Sequence, residues 1–225
     1  MLVIVTGTSK GIGHELVKLL AVHQDLVVLA VSRTATKFKS KNVISVQADI
    51  NTVSGRTKIY NAAVKTGKKV EIIINNAGLL VKKPFEKLSE KELLAVYSTN
   101  VFAPFLLIQK ILPLVKRNAN SHIVNIGSMG GFQGSSKFAG LSAYSSSKSA
   151  IAGLSECLAE ELSSKKIAVN CLALGSAQTQ MLSQAFPGYK APLSAKDMAG
   201  YIAWFALEGQ KYMNGKVIPV SLKTP

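Results

Sequence analysis

TGTSKGIG, residues 6–13, decides how the rest of this 225-residue chain is read. An apolar run, LVIVT at 2–6, leads directly into it, and a helical pattern over roughly 11–23 leads out. Glycines stand at positions 7, 11 and 13. A strand that turns this tightly into a helix brings backbone amides and a helix N-terminus up to a negative group. Side chains at the glycine positions would block that approach. Gly7, Ser9, Lys10, Gly11, Ile12 and Gly13 are therefore candidate anion-binding residues. Three residues separate Gly7 from Gly11, so the spacing is not that of the commonest G-x-G-x-x-G turn.

Outward from this turn, apolar runs of strand length recur at 26–32, 43–48, 70–75, 122–127, 167–173 and 215–220. They are continuous rather than alternating, which predicts strands buried on both faces of a parallel sheet. Helical patterns fill the gaps at roughly 52–66, 89–117, 143–164 and 195–208. Ser194 with Asp197 predicts a capping box for the last helix. Pro113 predicts a kink or an early end within 89–117. The alternation implies one α/β domain over residues 1–225: a Rossmann-type, doubly wound parallel sheet of about seven strands.

Composition agrees, since 48% hydrophobic and 17% charged residues supply one well-cored domain. No uninterrupted run approaches the roughly 18 apolar residues of a membrane span. The first strand begins directly after Met1, which leaves no room for a leader and suggests a cytoplasmic protein. Cys157 and Cys171 both lie in apolar segments and read as buried free thiols. His14, His23 and His122 do not cluster with acids or cysteines, so no metal site is expected. The formal charge of +15 raises nucleic acid as a partner. The lysines are scattered, however, with no interleaved aromatics and no basic arm. A solvated surface, with some attraction for anionic substrates or cofactor phosphates, is the better reading.

Further along the chain come NNAG at 75–78 after a strand, Asn100 in STNV, Ser128 closing HIVNIGS, and YSSSK at 144–148. With TGTSKGIG, this ordered set resembles the short-chain dehydrogenase/reductase family over essentially the whole chain. The resemblance implies hydride transfer between a nicotinamide and a carbonyl or alcohol carbon. Tyr144 and Lys148 are four apart and share one helix face, so an ammonium there would lower the phenol's pKa towards working pH. By resemblance Tyr144 is the proton donor, and both Tyr144 and Lys148 also contact the cofactor, Lys148 at the nicotinamide ribose. Ser128 holds the substrate oxygen, although Ser135, Ser136 and Ser142 are nearby competitors. Asn100 bends its helix and holds a water linking Lys148 to solvent. Asp49, Ile50, Asn76, Ala77, Gly78, Gly175 and Thr179 then contact the cofactor.

Between Leu26 and Ala48 there is no acidic residue to accept ribose hydroxyls; Ser32 and Arg33 stand at that strand end, with Lys10 in the glycine loop. Two cations there suit a 2′-phosphate, so NADP(H) is expected over NAD(H), and carbonyl reduction over alcohol oxidation. The chain departs from the family in having Leu174-Gly175 for the usual Pro-Gly. It also has a 16-residue step from Ser128 to Tyr144, with an insertion in GGFQGSSKFAGLS. The lid, SAQTQMLSQAFPGYKAPLSAKD, is short, with Met181, Leu182, Phe186 and Tyr189 as candidate pocket residues. The tail MNGKVIPVSLKTP lacks the double glycine common after the last strand. Expected partners are a small carbonyl or alcohol substrate, favoured as anionic by the charge, and further copies of the chain. A homodimer or homotetramer would form through 89–117 and 143–164. A non-catalytic, dinucleotide-binding regulator is the alternative from another class.

Overall fold

The computed structural model describes residues 1–222; the last three residues of the tail noted above lie outside it. Seven parallel strands form the central sheet: β1 (Leu2–Thr6), β2 (Val27–Ser32), β3 (Val43–Gln47), β4 (Val70–Asn75), β5 (Ser121–Ile126), β6 (Ile167–Leu174) and β9 (Val217–Val220). Their order is β3-β2-β1-β4-β5-β6-β9. The chain reverses direction across the sheet between β1 and β4, which pair in parallel. Such a switch point opens a crevice outside the carboxyl ends of the strands. A separate two-residue pair, β7 (Ala177–Gln178) with β8 (Leu193–Ser194), had no signature in the sequence.

The inner strands are apolar on both faces because each face is covered. Helices α1 (Gly11–Leu20) and α7 (Ala195–Glu208) cover one face, where Leu16, Leu20, Ile202 and Phe205 pack against Val3, Val5 and Val28. Burying Phe205 alone is worth about 2–3 kcal/mol. On the other face lie α2 (Val53–Lys65), α4 (Ala103–Ile111) and α5 (Ser142–Glu161), which bring Ile59, Leu107, Ile111 and Ala159 onto Leu2, Ile4 and Ile73. The expectation of strands buried on both faces fails for β3 and β9. These are the two edge strands of the sheet; Ile44 on β3 is 40% exposed, and no residue of β9 is fully buried.

The expected single helix over 89–117 is divided. It consists of α3 (Glu90–Tyr97), one π-turn over Ser98–Phe102, α4, and a 3₁₀ turn at Leu112–Leu114. Pro113 sits in that final turn and ends the helix, since it lacks the amide an α-helix would need. The whole run Glu90–Leu114 is long and apolar enough, by length and composition, to cross a membrane. The reading of uninterrupted runs missed it because polar residues punctuate it. Its inner face nevertheless packs on the sheet through Ala103, Leu107, Ile108 and Ile111. The capping box of α7 is present: the Ser194 hydroxyl accepts from the Asp197 amide at 3.1 Å, and the Asp197 carboxylate accepts from the Ser194 amide at 3.0 Å.

Candidate active site

β1 runs straight into the glycine turn, and packing explains why glycine stands there. A Cβ on Gly13 would lie 2.3 Å from the Gly7 carbonyl oxygen, and one on Gly7 (φ +75°) would lie 2.7 Å from Ala77 Cα. The NNAG loop after β4 buttresses the turn. Asn76 Nδ2 donates to the carbonyls of Thr6 and Gly7 at 2.9 and 3.2 Å, and the Ala77 amide donates to Thr6 Oγ1 at 3.1 Å. Helix α1 starts with no side-chain cap and no acid in its first turn. Its orphan amides and positive dipole end therefore remain for an anion. That is the fit a cofactor phosphate requires, and Gly11, Ile12 and Gly13 line the adjoining cleft.

The cleft has a volume of about 610 Å³. Every residue singled out for the cofactor lines it, as do Ser128, Tyr144 and Lys148. Arg33, Asp49 and Ile50 lie at one end, with Ser128, Tyr144 and Lys148 at the strand ends of β5 and the start of α5. Asn100 does not line the cleft. It is 2% exposed within the π-turn, beside Lys148: a Cβ on Gly78 would lie 3.5 Å from Asn100 Oδ1 and 3.7 Å from Lys148 Nζ. Asn100 Oδ1 accepts from the Leu79 amide (2.8 Å), and Nδ2 donates to the Leu79 carbonyl and to Ser147 Oγ (both 2.9 Å). The expected local bend is thus real. Both ends of the side-chain amide are engaged by protein.

A profile of the short chain dehydrogenases matches residues 1–190. The chain belongs to the short-chain dehydrogenase family. A 3-oxoacyl-[acyl-carrier-protein] reductase of Chlamydia trachomatis is 30% identical over 240 residues, covering 96% of this chain and 94% of that protein. The mouse dehydrogenase/reductase SDR family member 4 is 27% identical, covering 99% and 86%. Among solved structures, a 3-ketoacyl-(acyl-carrier-protein) reductase from Brucella melitensis, complexed with NADH, superposes with a TM-score of 0.86 at 24% identity over 97% and 96% of the two chains. The protein is accordingly an oxidoreductase.

Electrostatics at the centre of this short-chain dehydrogenase differ from the sequence expectation. Tyr144 and Lys148 do share a face of α5, with Nζ 5.8 Å from the phenol ring centroid. Yet the Tyr144 pKa is raised, because burial disfavours the phenolate more than a hydrogen bond from Ser128 favours it. Burial also lowers Lys148 to about 8, partly offset by the buried Cys171. The ammonium turns to the Ile126 carbonyl at 2.7 Å. The phenol is therefore neutral in the free protein. Asp49, the only acid lining the cleft among the described residues, has Oδ1 occupied by the Asn51 amide at 2.9 Å.

Lys10, which lines the cleft as Arg33 does, donates from Nζ to Gln180 Oε1 at 2.7 Å. Other expectations need correction. The lid contains a helix that no periodicity announced, α6 (Gln180–Ala185). Met181, Leu182 and Phe186 line the cleft; Tyr189 does not, although its hydroxyl is 3.1 Å from Oγ of the lining residue Ser176. Sequence reasoning missed Met129, Phe138 and Leu141, which complete the apolar end. Phe138 comes from the insertion, and its ring packs edge-on to Phe186 at 5.4 Å. Ser135 is engaged with main-chain carbonyls, and of Ser128, Ser135, Ser136 and Ser142 only Ser128 lines the cleft. Cys171 is buried as expected, whereas Cys157 is exposed on α5.

Proposed function

We propose that the protein is an NADP(H)-dependent reductase that converts a carbonyl to an alcohol. The observation that carries this is the convergence of Ser128, Tyr144 and Lys148 in one cleft whose far end presents Arg33 and no acid beyond the engaged Asp49. When bound, the nicotinamide cofactor supplies the hydride. The remaining chemistry belongs to side chains. The Ser128 hydroxyl donates to the substrate oxygen, and the Tyr144 phenol delivers its proton to that same oxygen as negative charge develops. Lys148, still an ammonium at pH 7 with a pKa of about 8, stabilises the phenolate that results. Asn100 fixes the α5 segment between them through Ser147. A phenol held neutral by burial suits proton donation, and hence reduction, rather than proton abstraction.

Selectivity for the cofactor rests on Arg33, whose guanidinium matches a 2′-phosphate and gains little from a bare hydroxyl. The apolar end formed by Met129, Phe138, Leu141, Met181, Leu182 and Phe186 favours a carbonyl compound with an apolar substituent. The net charge of +15 favours an anionic one. We also infer self-association through the outer face of α3 and α4. Leu94, Phe102 and Phe105 are 54%, 50% and 44% exposed there, on the same run whose hydropathy would suit a bilayer. The test of the cofactor reading is fluorescence titration with NADPH and NADH, NADH being the form named in the Brucella complex. NADPH should bind at least tenfold tighter, about 1.4 kcal/mol, with the preference lost in Arg33→Ala. Equal affinities in the wild type would refute the 2′-phosphate argument.

A further inference from the structure

Three of the chain's 27 basic residues, Lys10, Arg33 and Lys148, line the cleft. A second group lies at the opposite end of the sheet, where the parallel strands begin. Helix α2 ends there and turns at Gly67 (φ +65°) into β4, with Lys65, Lys68 and Lys69 around the turn. A Cβ on Gly67 would meet nothing within 4 Å, so the turn projects into solvent. The segment after α4 runs alongside. The Lys116 amide donates to the Val70 carbonyl at 2.8 Å, which sets Lys116 and Arg117 beside that turn. Lys110, in the last turn of α4, has its ammonium 5.2 Å from the ring centroid of Tyr60 on α2. Of these six exposed cations only Lys116 is ion-paired among the described residues, to the buried Glu71 at 3.4 Å. Helix dipoles alone do not account for the group. A helix C-terminus favours cations, yet α5, which ends at the same edge, carries Glu160 and Glu161 in its last turn and no base. Val64, 51% exposed in the last turn of α2, and Pro113, also exposed, stand among the cations.

We propose that this corner of the molecule is a docking surface for an anionic phospholipid bilayer. Cations near a negatively charged bilayer are attracted to its headgroups, and five of the six here have no ion pair to give up. The exposed aliphatic groups decide between polyanions. Val64 and Pro113 gain from the boundary between headgroups and acyl chains, whereas a nucleic-acid backbone offers them nothing. A single strand would need aromatic faces on which to stack its bases. Tyr60, the aromatic side chain between α2 and α4 at this corner, is half-buried and faces Lys110. Docked this way, the protein turns the mouth of its cleft, at the other end of the parallel strands, away from the bilayer. Cofactor and substrate still reach the site from solution, so docking is independent of the dinucleotide reading above.

The test is co-sedimentation with sucrose-loaded vesicles, either of phosphatidylcholine alone or with about one-third phosphatidylserine. Salt is set at about 0.1 M and then at about 0.5 M, where surface charges are screened. The proteins are wild type, Lys68→Glu/Lys69→Glu, and a control of equal net charge, Lys87→Glu/Lys91→Glu. The control changes exposed lysines at the opposite end of the run that carries Lys110. Circular dichroism verifies folding. Wild type should pellet with the phosphatidylserine vesicles at low salt. It should not do so at high salt or with phosphatidylcholine alone. Lys68→Glu/Lys69→Glu should lose affinity by about tenfold or more, and the control by no more than about threefold. A wild type that ignores phosphatidylserine vesicles would overturn the proposal. Equal losses in the two double variants would also overturn it, by making the binding a property of net charge rather than of this corner. Salt-sensitive retention on double-stranded RNA without vesicle binding would overturn it in favour of a nucleic acid.

Discussion

His122 offers the sharpest test of the packing argument, and it needs no substrate. It sits on β5 with its side chain fully enclosed. Nδ1 lies 3.2 Å from the Ala206 carbonyl, and Nε2 lies 2.9 Å from Asn170 Nδ2. Since a carbonyl can only accept, Nδ1 carries the proton and Nε2 accepts from the amide; the ring is neutral. Burial lowers its pKa from 6.5 to about 4. The unfolded chain therefore takes up a proton as pH falls below 6.5, while the native protein does not until about pH 4. Stability from this residue is complete above pH 6.5 and is lost between 6.5 and 4. At about 1.4 kcal/mol per pH unit, the loss is about 3 kcal/mol in full and about 2 kcal/mol by pH 5. Urea unfolding at pH 7.5 and pH 5.0, followed by the single Trp204, measures it above the ordinary carboxylate range. His122→Asn should be less stable at pH 7.5 but should show a shallower dependence on pH. A wild-type stability that is flat between those pH values, or an equal slope in the variant, would refute the reasoning.

Two further outcomes concern the site and the surface. Tyr144→Phe should cost a factor of about 10²–10⁴ in turnover, because it removes the proton donor. In the wild type, turnover should fall roughly tenfold between pH 7 and pH 9 as Lys148, with a pKa of about 8, loses its charge; a rate that rises steadily across that range would contradict the assignment. Phe105→Asp should convert the associated protein to monomer in light scattering. A monomeric wild type would show that the exposed face of α3 and α4 is not a contact between copies.

The strands were legible because burial on two faces leaves no alternative to a continuous apolar run: 2–6 and 70–75 coincide with β1 and β4. β3 has the same kind of composition but stands at the edge, and position in the sheet is not written in a local run. The long helix was legible as a helix and not as an interrupted one. Its π-turn depends on Asn100 pairing with Leu79, 21 residues away. The short elements α6, β7 and β8 fall below the length at which periodicity speaks. For the candidate site, which residues would share one cleft was legible from spacing, while their electrostatics were not. The spacing of YSSSK correctly placed Tyr144 and Lys148 on one face, but the sign of the phenol's shift follows from burial, which only tertiary structure supplies. Lys10 was likewise grouped with Arg33 by charge, although its partner lies across the cleft in the lid.

The three serines between Tyr144 and Lys148 show how the site is held to its geometry. Ser147 is fully enclosed: it accepts from Asn100 Nδ2 and donates to the Tyr144 carbonyl at 2.7 Å, which joins the π-turn to the turn of helix carrying the phenol. Ser145, also buried, faces the 3₁₀ turn at Met129–Gly131, where a Cβ on Gly130 would lie 3.1 Å from its Oγ. Ser146 is exposed and bonds back to the Ser142 carbonyl at 2.8 Å. Small side chains are needed on the inner face because the backbone after Ser128 lies directly on α5: a Cβ on Gly131 would come within 2.5 Å of the Lys148 carbonyl carbon. That contact sets the distance from the end of β5, which carries Ser128, to the helix that carries Tyr144 and Lys148. A larger residue at 131 would push α5 off the strand end and separate the serine from the phenol. The serine-rich stretch is therefore the packing surface that lets a strand end and a helix present Ser128, Tyr144 and Lys148 to one cleft.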